Sequence, residues 1–95
     1  MHFAYIGDSV LGRDVNLGAG TKFANLRFVS GNVSIKIKGS LIDTGRRELG
    51  AVLGNNAQTG CNSVTNPGTL VGLDSIIAPN TTVRPGFCAA YSVIR

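Results

Sequence analysis

The sequence predicts an all-β chain wound as a solenoid of short, stacked strands. Three observations carry this. Written in sixes from Tyr5, Leu11, Leu17, Phe23, Leu53, Thr59, Thr65, Val71, Ile77 and Val83, the chain places a large apolar residue at eight of ten first positions. The following position (Ile6, Gly12, Gly18, Ala24, Gly54, Gly60, Asn66, Gly72, Ala78, Arg84) is glycine five times in ten, where 13 glycines in 95 residues predict between one and two. The fifth position (Ser9, Val15, Thr21, Arg27, Ala57, Ser63, Thr69, Ser75, Thr81, Phe87) is small or β-branched eight times in ten. A period of six is neither helical nor a simple strand alternation. It fits short strands separated by tight corners, with the large residue filling the interior and the small fifth residue pointing into what room is left. Glycine after the large residue permits a close approach of neighbouring backbones. Stacked coils would sit about 4.8 Å apart and hydrogen-bond in parallel. The competing fold is a glycine-rich β-sandwich with an accidental period.

With three sixes to a coil, Tyr5–Lys22 forms one coil, and Leu53–Leu70 and Val71–Cys88 form two more. Phe23–Val52 is 30 residues long where a coil needs 18, so about 12 are surplus. Within it, Val33, Ile35 and Ile37 alternate with Ser34, Lys36 and Lys38, the pattern of a half-buried strand. Ser30-Gly31-Asn32 reads as a turn. The expectation is a hairpin-like arm over about residues 26–48. Loops this long inside compact repeats are usually functional. Ala89–Arg95 would cap the stack or form a short tail.

Composition bounds the function. The chain carries 9 Lys and Arg against 5 Asp and Glu, a net charge of +4, with 15% charged and 43% apolar residues. That excludes disorder. No apolar run approaches the roughly 18–20 residues of a membrane span. No secretory signal is visible at Met1-His2-Phe3-Ala4-Tyr5, so a cytoplasmic location is expected. A chain of this length buries only about 60–65% of its unfolded surface, which makes a lone monomer marginal. Open solenoid edges need cover. Apolar residues expected on flat outer faces, Val10, Val52, Val64 and Ile76, would supply contacts between copies. Cys61 and Cys88 make no disulfide framework, and two Cys with one His lack metal spacing. No metal is expected. Basic residues are few and not interleaved with aromatics, so nucleic acid is not an expected partner.

One further stretch is more specific. His2-Phe3-Ala4-Tyr5-Ile6-Gly7-Asp8 runs into Gly12-Arg13-Asp14-Val15-Asn16-Leu17-Gly18-Ala19-Gly20-Thr21 and then Ala24-Asn25-Leu26-Arg27-Phe28. This resembles the acetyltransferase part of the bifunctional sugar-1-phosphate nucleotidylyltransferase/amino-sugar-1-phosphate acetyltransferases, hexapeptide-repeat proteins. Ile37-Lys38-Gly39 and Asp43-Thr44-Gly45-Arg46-Arg47 resemble the archaeal versions. The resemblance covers nearly the whole chain. It implies a left-handed parallel β-helix, a homotrimer with active sites between subunits, and acetyl-coenzyme A as co-substrate. The reaction implied is N-acetylation of glucosamine-1-phosphate or galactosamine-1-phosphate for nucleotide-sugar synthesis.

The roles follow residue by residue from that resemblance. His2 would take a proton from the sugar amine; a neutral imidazole, titrating near about 6.5, suits the task. Asn25 would hydrogen-bond at the reacting centre. Tyr5 and Asn16 match substrate-contacting positions, and Lys36 and Lys38 would meet phosphate from a neighbouring subunit. The Ala19 amide would hold the thioester oxygen, with Cys61 and Ala78 beside the acetyl-coenzyme A channel. Bland readings stand beside these. His2 can be a frayed terminus, and Tyr5 a filler of the first core position. Asn16 and Asn25 can serve corners and ladders, Lys36 and Lys38 a solvated strand face, and Ala19 a tight corner.

Departures from the family pattern matter too. The coils and nucleotidylyltransferase domain that family members carry upstream of the histidine are not in the 95 residues, so the chain reads as a C-terminal piece. Cys61 replaces a serine of bacterial members, and Pro79 replaces a small residue. A catalytically impaired trimerisation module is the alternative function. β-Helical carbonic anhydrases, which need three histidines, fail against the single His2, and an ice-binding face would need more than Thr81-Thr82.

Overall fold

A computed structural model describes residues 3–95. His2, and with it the candidate base, lies outside the described residues. Fourteen short strands and no helix are found among them. In chain order they are β1 (Tyr5–Ile6), β2 (Val10–Leu11), β3 (Asn16–Leu17), β4 (Lys22–Phe23), β5 (Ser34–Ile37), β6 (Ser40–Asp43), β7 (Ala51–Leu53), β8 (Gln58–Thr59), β9 (Val64–Thr65), β10 (Thr69–Val71), β11 (Ile76–Ile77), β12 (Thr82–Val83), β13 (Gly86–Cys88) and β14 (Val93–Ile94). Three parallel four-stranded sheets result, ordered β1-β4-β9-β12, β2-β7-β10-β13 and β3-β8-β11-β14. Each turn of chain visits the three sheets in succession, so the molecule is the expected three-sided β-solenoid.

The six-residue spacing predicts a step of 18 between stacked residues, and β7 to β10 takes that step, pairing Val52 with Leu70. The inner column contains Phe23, Leu53, Thr59, Thr65, Val71, Ile77 and Val83, all buried. Burying a side chain the size of Phe23 or Leu53 contributes roughly 1.5–3 kcal/mol. The small fifth residues Thr21, Ala57, Ser63, Thr69 and Ser75 are also buried, as the repeat requires. Thr21 pairs with Thr59 at 2.7 Å, Thr69 donates to the Asn66 carbonyl at 2.7 Å and Ser75 to the Ala89 carbonyl at 3.1 Å, whereas no partner is found for Ser63 Oγ among the described residues.

The frame slips at two places. Tyr5 stands opposite Lys22 and Ile6 opposite Phe23, a step of 17. Ile6 therefore takes the inward position and Tyr5 points outward, 54% exposed, so Tyr5 is not a core filler. The second slip follows Val83: Thr69 pairs with Gly86 and Leu70 with Phe87. Phe87, expected inside, lies outside at 59% exposure. The corner Arg84-Pro85 is one residue short, and Gly86, with φ of 123°, takes the inward small position.

The arm is larger than the spacing suggested. Leu17 stacks on Thr59 and Leu11 on Leu53, a step of 42 where 18 closes a coil, so 24 residues are added, not 12. The miscount came from granting Phe23–Val52 a full coil, when Phe23 and Leu53 are neighbours on consecutive faces of one coil. Within the insertion β5 and β6 pair antiparallel. Lys38 and Gly39, at φ of 50° and 83°, form a two-residue turn of the kind whose twist suits a hairpin. Val33 is fully buried and Ile35 7% exposed, because both rest on the solenoid edge at Gly68. β6 stays exposed along its length.

Every corner solves one steric problem. Except after Phe23, where the arm departs, the third residue after each inward one adopts a left-handed conformation: Asp14, Gly20, Asn56, Asn62, Gly68, Asp74, Asn80, Gly86 and Tyr91 all have φ between 55° and 123°. Asn, Asp and Gly tolerate it best. In the shortened first rung Asp8, at φ of 42°, plays this part.

Candidate functional site

Tyr5 and Asn25 meet at one end of the stack. β1 and β4 are neighbours, and Asn25 leaves β4 two residues after Phe23. Gly7 makes the approach possible, because a Cβ there would overlap the Asn25 side chain, standing 2.7 Å from Nδ2 and 2.8 Å from Cβ. The arm returns beside it: Leu26 bridges to Glu48, and Leu49 N–H donates to the Asn25 carbonyl at 2.9 Å.

The Asn25 amide is fixed from both sides. Tyr5 O–H donates to its Oδ1 at 3.1 Å. Its Nδ2 donates to Asp8 Oδ2 at 2.6 Å and faces Glu48 Oε2 at 3.5 Å. Arg46 Nη2 stands 4.0 Å from Asp8 Oδ1, and its Nε donates to the Glu48 carbonyl. With both partners exposed, that ion pair adds little stability. Two hollows open here, one beside Tyr5 and one beside Asp8. One of about 250 Å³ is lined by Phe3, Ala4, Tyr5, Gly20, Thr21 and Lys22, and the other of about 430 Å³ by Asp8 and the arm residues 45–48. A wider hollow of about 600 Å³ starts at Ala24 and Leu26 and runs under the arm.

A second group lies along the edge where the β3 sheet turns into the β1 sheet. Asn62 N–H donates to the Ala19 carbonyl and Asn80 N–H to the Cys61 carbonyl, both at 2.9 Å, so Ala19, Cys61 and Pro79 form one column. Ala78 sits beside it, half-buried. No acceptor is found for the Ala19 N–H, or for the Cys61 N–H below it, among the described residues. Gly60 lets the coils close here, since a Cβ would meet Pro79 N and Cα. Cys61 is exposed, and burial pushes the Cys88 thiol up.

Other predicted residues stand apart. Asn16 lies on the β3 face, in register with Gln58, one face away from Tyr5. Lys36 and Lys38 ride on the hairpin, whose Lys36 carbonyl reaches Gly86, two coils along the edge from Gly50. The protomer therefore does not bring Lys36, Lys38 or Asn16 to the Tyr5–Asn25 pair. Asp8, Arg46 and Glu48, which sequence reasoning did not single out, are the ones beside it. Asp8 closes the stretch His2–Asp8 but carried no role there, and Glu48 arrives through the Leu26 bridge, which no local pattern announces. Among the described residues no three His, Cys, Asp or Glu side chains gather as a metal site.

Known proteins resemble most of the chain's length. The chain is 46% identical over 83 residues to a bifunctional sugar-1-phosphate nucleotidylyltransferase/acetyltransferase of Sulfurisphaera tokodaii, covering 87% of the chain and 21% of that relative. It is 44% identical over 82 residues to the bifunctional protein GlmU of Methanococcus vannielii, covering 86% of the chain and 20% of the relative. For the Prochlorococcus marinus protein of the same name the figures are 37% over 82 residues, 86% and 15%. The chain thus spans about a fifth of the length of the archaeal relatives it matches. No protein-family model matches it.

Proposed function

We propose that this chain, a homologue of one segment of the bifunctional sugar-1-phosphate nucleotidylyltransferase/acetyltransferases, transfers acetyl from acetyl-coenzyme A to the amine of glucosamine-1-phosphate or galactosamine-1-phosphate. The observation that carries this reading is the Tyr5–Asn25 pair, held at a solvent-open end beside two hollows. Tyr5 spends its proton on Asn25, so its oxygen lone pairs can accept an N–H from an incoming amine. The amine nitrogen attacks the thioester carbon, the C–S bond breaks, His2 takes the amine proton and the thiolate leaves. The Ala19 N–H serves the carbonyl oxygen, where one such donor is worth about 2.7–4 kcal/mol in other enzymes.

The site is completed by other copies. Val10, Val52, Leu70 and Phe87 are register partners down one outer face, an apolar ladder that suits packing between protomers of a homotrimer. Lys36 and Lys38, remote from their own Tyr5, would then bring positive charge to a neighbour's phosphate. A cytoplasmic site of action follows, since both substrates are charged metabolites that do not cross membranes unaided.

Release of coenzyme A thiol tests the proposal. Either amino-sugar 1-phosphate should support release, and glucose-1-phosphate, which has no amine, should not. If acetyl-coenzyme A gives no binding heat and no thiol appears, the chain is a trimerisation scaffold instead.

A further inference from the structure

We infer that Asp8 is a positioning residue, which clamps the Asn25 amide in one orientation and thereby turns Tyr5 into an outward-facing hydrogen-bond acceptor. The inference rests on the acetyltransferase reading for its kinetic consequence, but not for its geometry.

An ionised carboxylate can only accept hydrogen bonds. Asp8 Oδ2, 2.6 Å from Asn25, therefore requires Nδ2 on its side. Rotating the amide by half a turn would set oxygen against oxygen there, and against Glu48 as well. With Nδ2 so held, Oδ1 faces Tyr5 and takes its proton at 3.1 Å. Without the carboxylate, either end of the amide could face Tyr5. In the flipped form Nδ2 would donate to the phenol oxygen and use up the lone pair that an amine needs.

Asp8 does more than its backbone position demands. Asp14 and Asp74 hold the same left-handed corner conformation, at φ of 58° and 55°, and neither side chain makes a hydrogen bond among the described residues. Asp8 alone of these three reaches a neighbouring side chain. Its rung is the shortened one, where it follows Ile6 by two residues instead of three.

The test uses the whole chain and two substitutions that tolerate positive φ. Asp8→Gly removes the carboxylate, and Asp8→Asn keeps an acceptor oxygen. Asp8→Gly should lower kcat/KM about 10- to 100-fold, the value of one charge-assisted hydrogen bond. Asp8→Asn, whose amide can turn either end toward Asn25, should recover only part of it. In an Asn25→Ala background Asp8→Gly should cost nothing further, because its route of action is gone. An equal loss in both backgrounds, or an unchanged rate in Asp8→Gly, overturns the inference. If the wild-type chain transfers no acetyl group, the acetyltransferase reading fails and the geometry is read by NMR. The Asn25 side-chain N–H signal that faces Asp8 should lie downfield in the wild type, and in Asp8→Gly it should move toward the position of an amide with no such acceptor. Identical signals in Asp8→Gly and the wild type overturn the clamp whatever the activity.

Discussion

Gly7 forms the floor on which Asn25 lies: a Cβ at position 7 would stand 2.7 Å from Asn25 Nδ2. Gly7 has no positive φ, so it is glycine for space and not for backbone freedom. Gly7→Ala should push Asn25 out of reach of Tyr5 and lower kcat/KM about 100-fold, the usual cost of an ångström's misplacement. Overpacking should also cost about 1–3 kcal/mol of stability. Thermal melting beside the thiol-release assay separates the two effects. A fully active Gly7→Ala chain would show that the pair does not need this floor.

Tyr5→Phe makes the complementary case. The ring is exposed, so stability should change by no more than about 0.5 kcal/mol. Activity should fall about tenfold or more, since the phenol oxygen is the acceptor for the amine. Equal losses of stability and activity would mean that the hydroxyl only braces the end of the stack.

Thr65 offers a test of the core. Its hydroxyl is buried and no partner is found for it among the described residues. Burying an unpaired hydroxyl costs about 1–3 kcal/mol. Thr65→Val should therefore raise stability, by about 1 kcal/mol. A clear loss in chemical denaturation would reveal a hidden partner for Oγ1.

Gly68 couples the arm to the solenoid. It combines φ of 85° with a Cβ position 3.0 Å from Val33 Cγ1 and 3.3 Å from Ile35 Cγ1. Gly68→Ala meets both the left-handed penalty, roughly 1–2 kcal/mol, and the arm's buried face. Hydrogen exchange should rise across residues 33–44 while amides around Leu53 and Ile77 stay protected. Uniform loss of protection would mean that the arm and the coils unfold together.

The two thiols should separate by pH. Burial raises the Cys88 pKa, so its thiolate forms only above the ordinary thiol range. The linked stability is fully present below the unfolded thiol's pKa and is lost as pH rises through the folded value. Near neutral pH, alkylation should mark the exposed Cys61 first and Cys88 slowly. Mass spectrometry of timed samples checks the order.

Much of the fold was legible because the repeat writes one steric demand per coil. Leu53, Val71, Ile77 and Val83 are inward because each six-residue rung carries the same inward position to the next face, and three rungs return it to the same sheet. A second ladder was also there to be read: the Asn, Asp and Gly three residues after each inward one mark the left-handed corners. The slips at Ile6 and Phe87 were hidden, because one missing residue leaves hydrophobic spacing nearly intact. In the site, Tyr5 and Asn25 were given roles through a motif, while Asp8 stood in the same motif without a role and Glu48 lay outside it. Their part depends on a long-range return of the arm, which no window of sequence contains.

Chemical-shift mapping tests the location of the site most directly. Titrating the amino-sugar 1-phosphate should move amide signals of Tyr5, Asp8 and Asn25, and titrating acetyl-coenzyme A should move those of Ala19, Cys61 and Ala78. Shifts confined to the hollow under the arm, around Phe28 and Leu41, or no shifts with either ligand, would contradict the account.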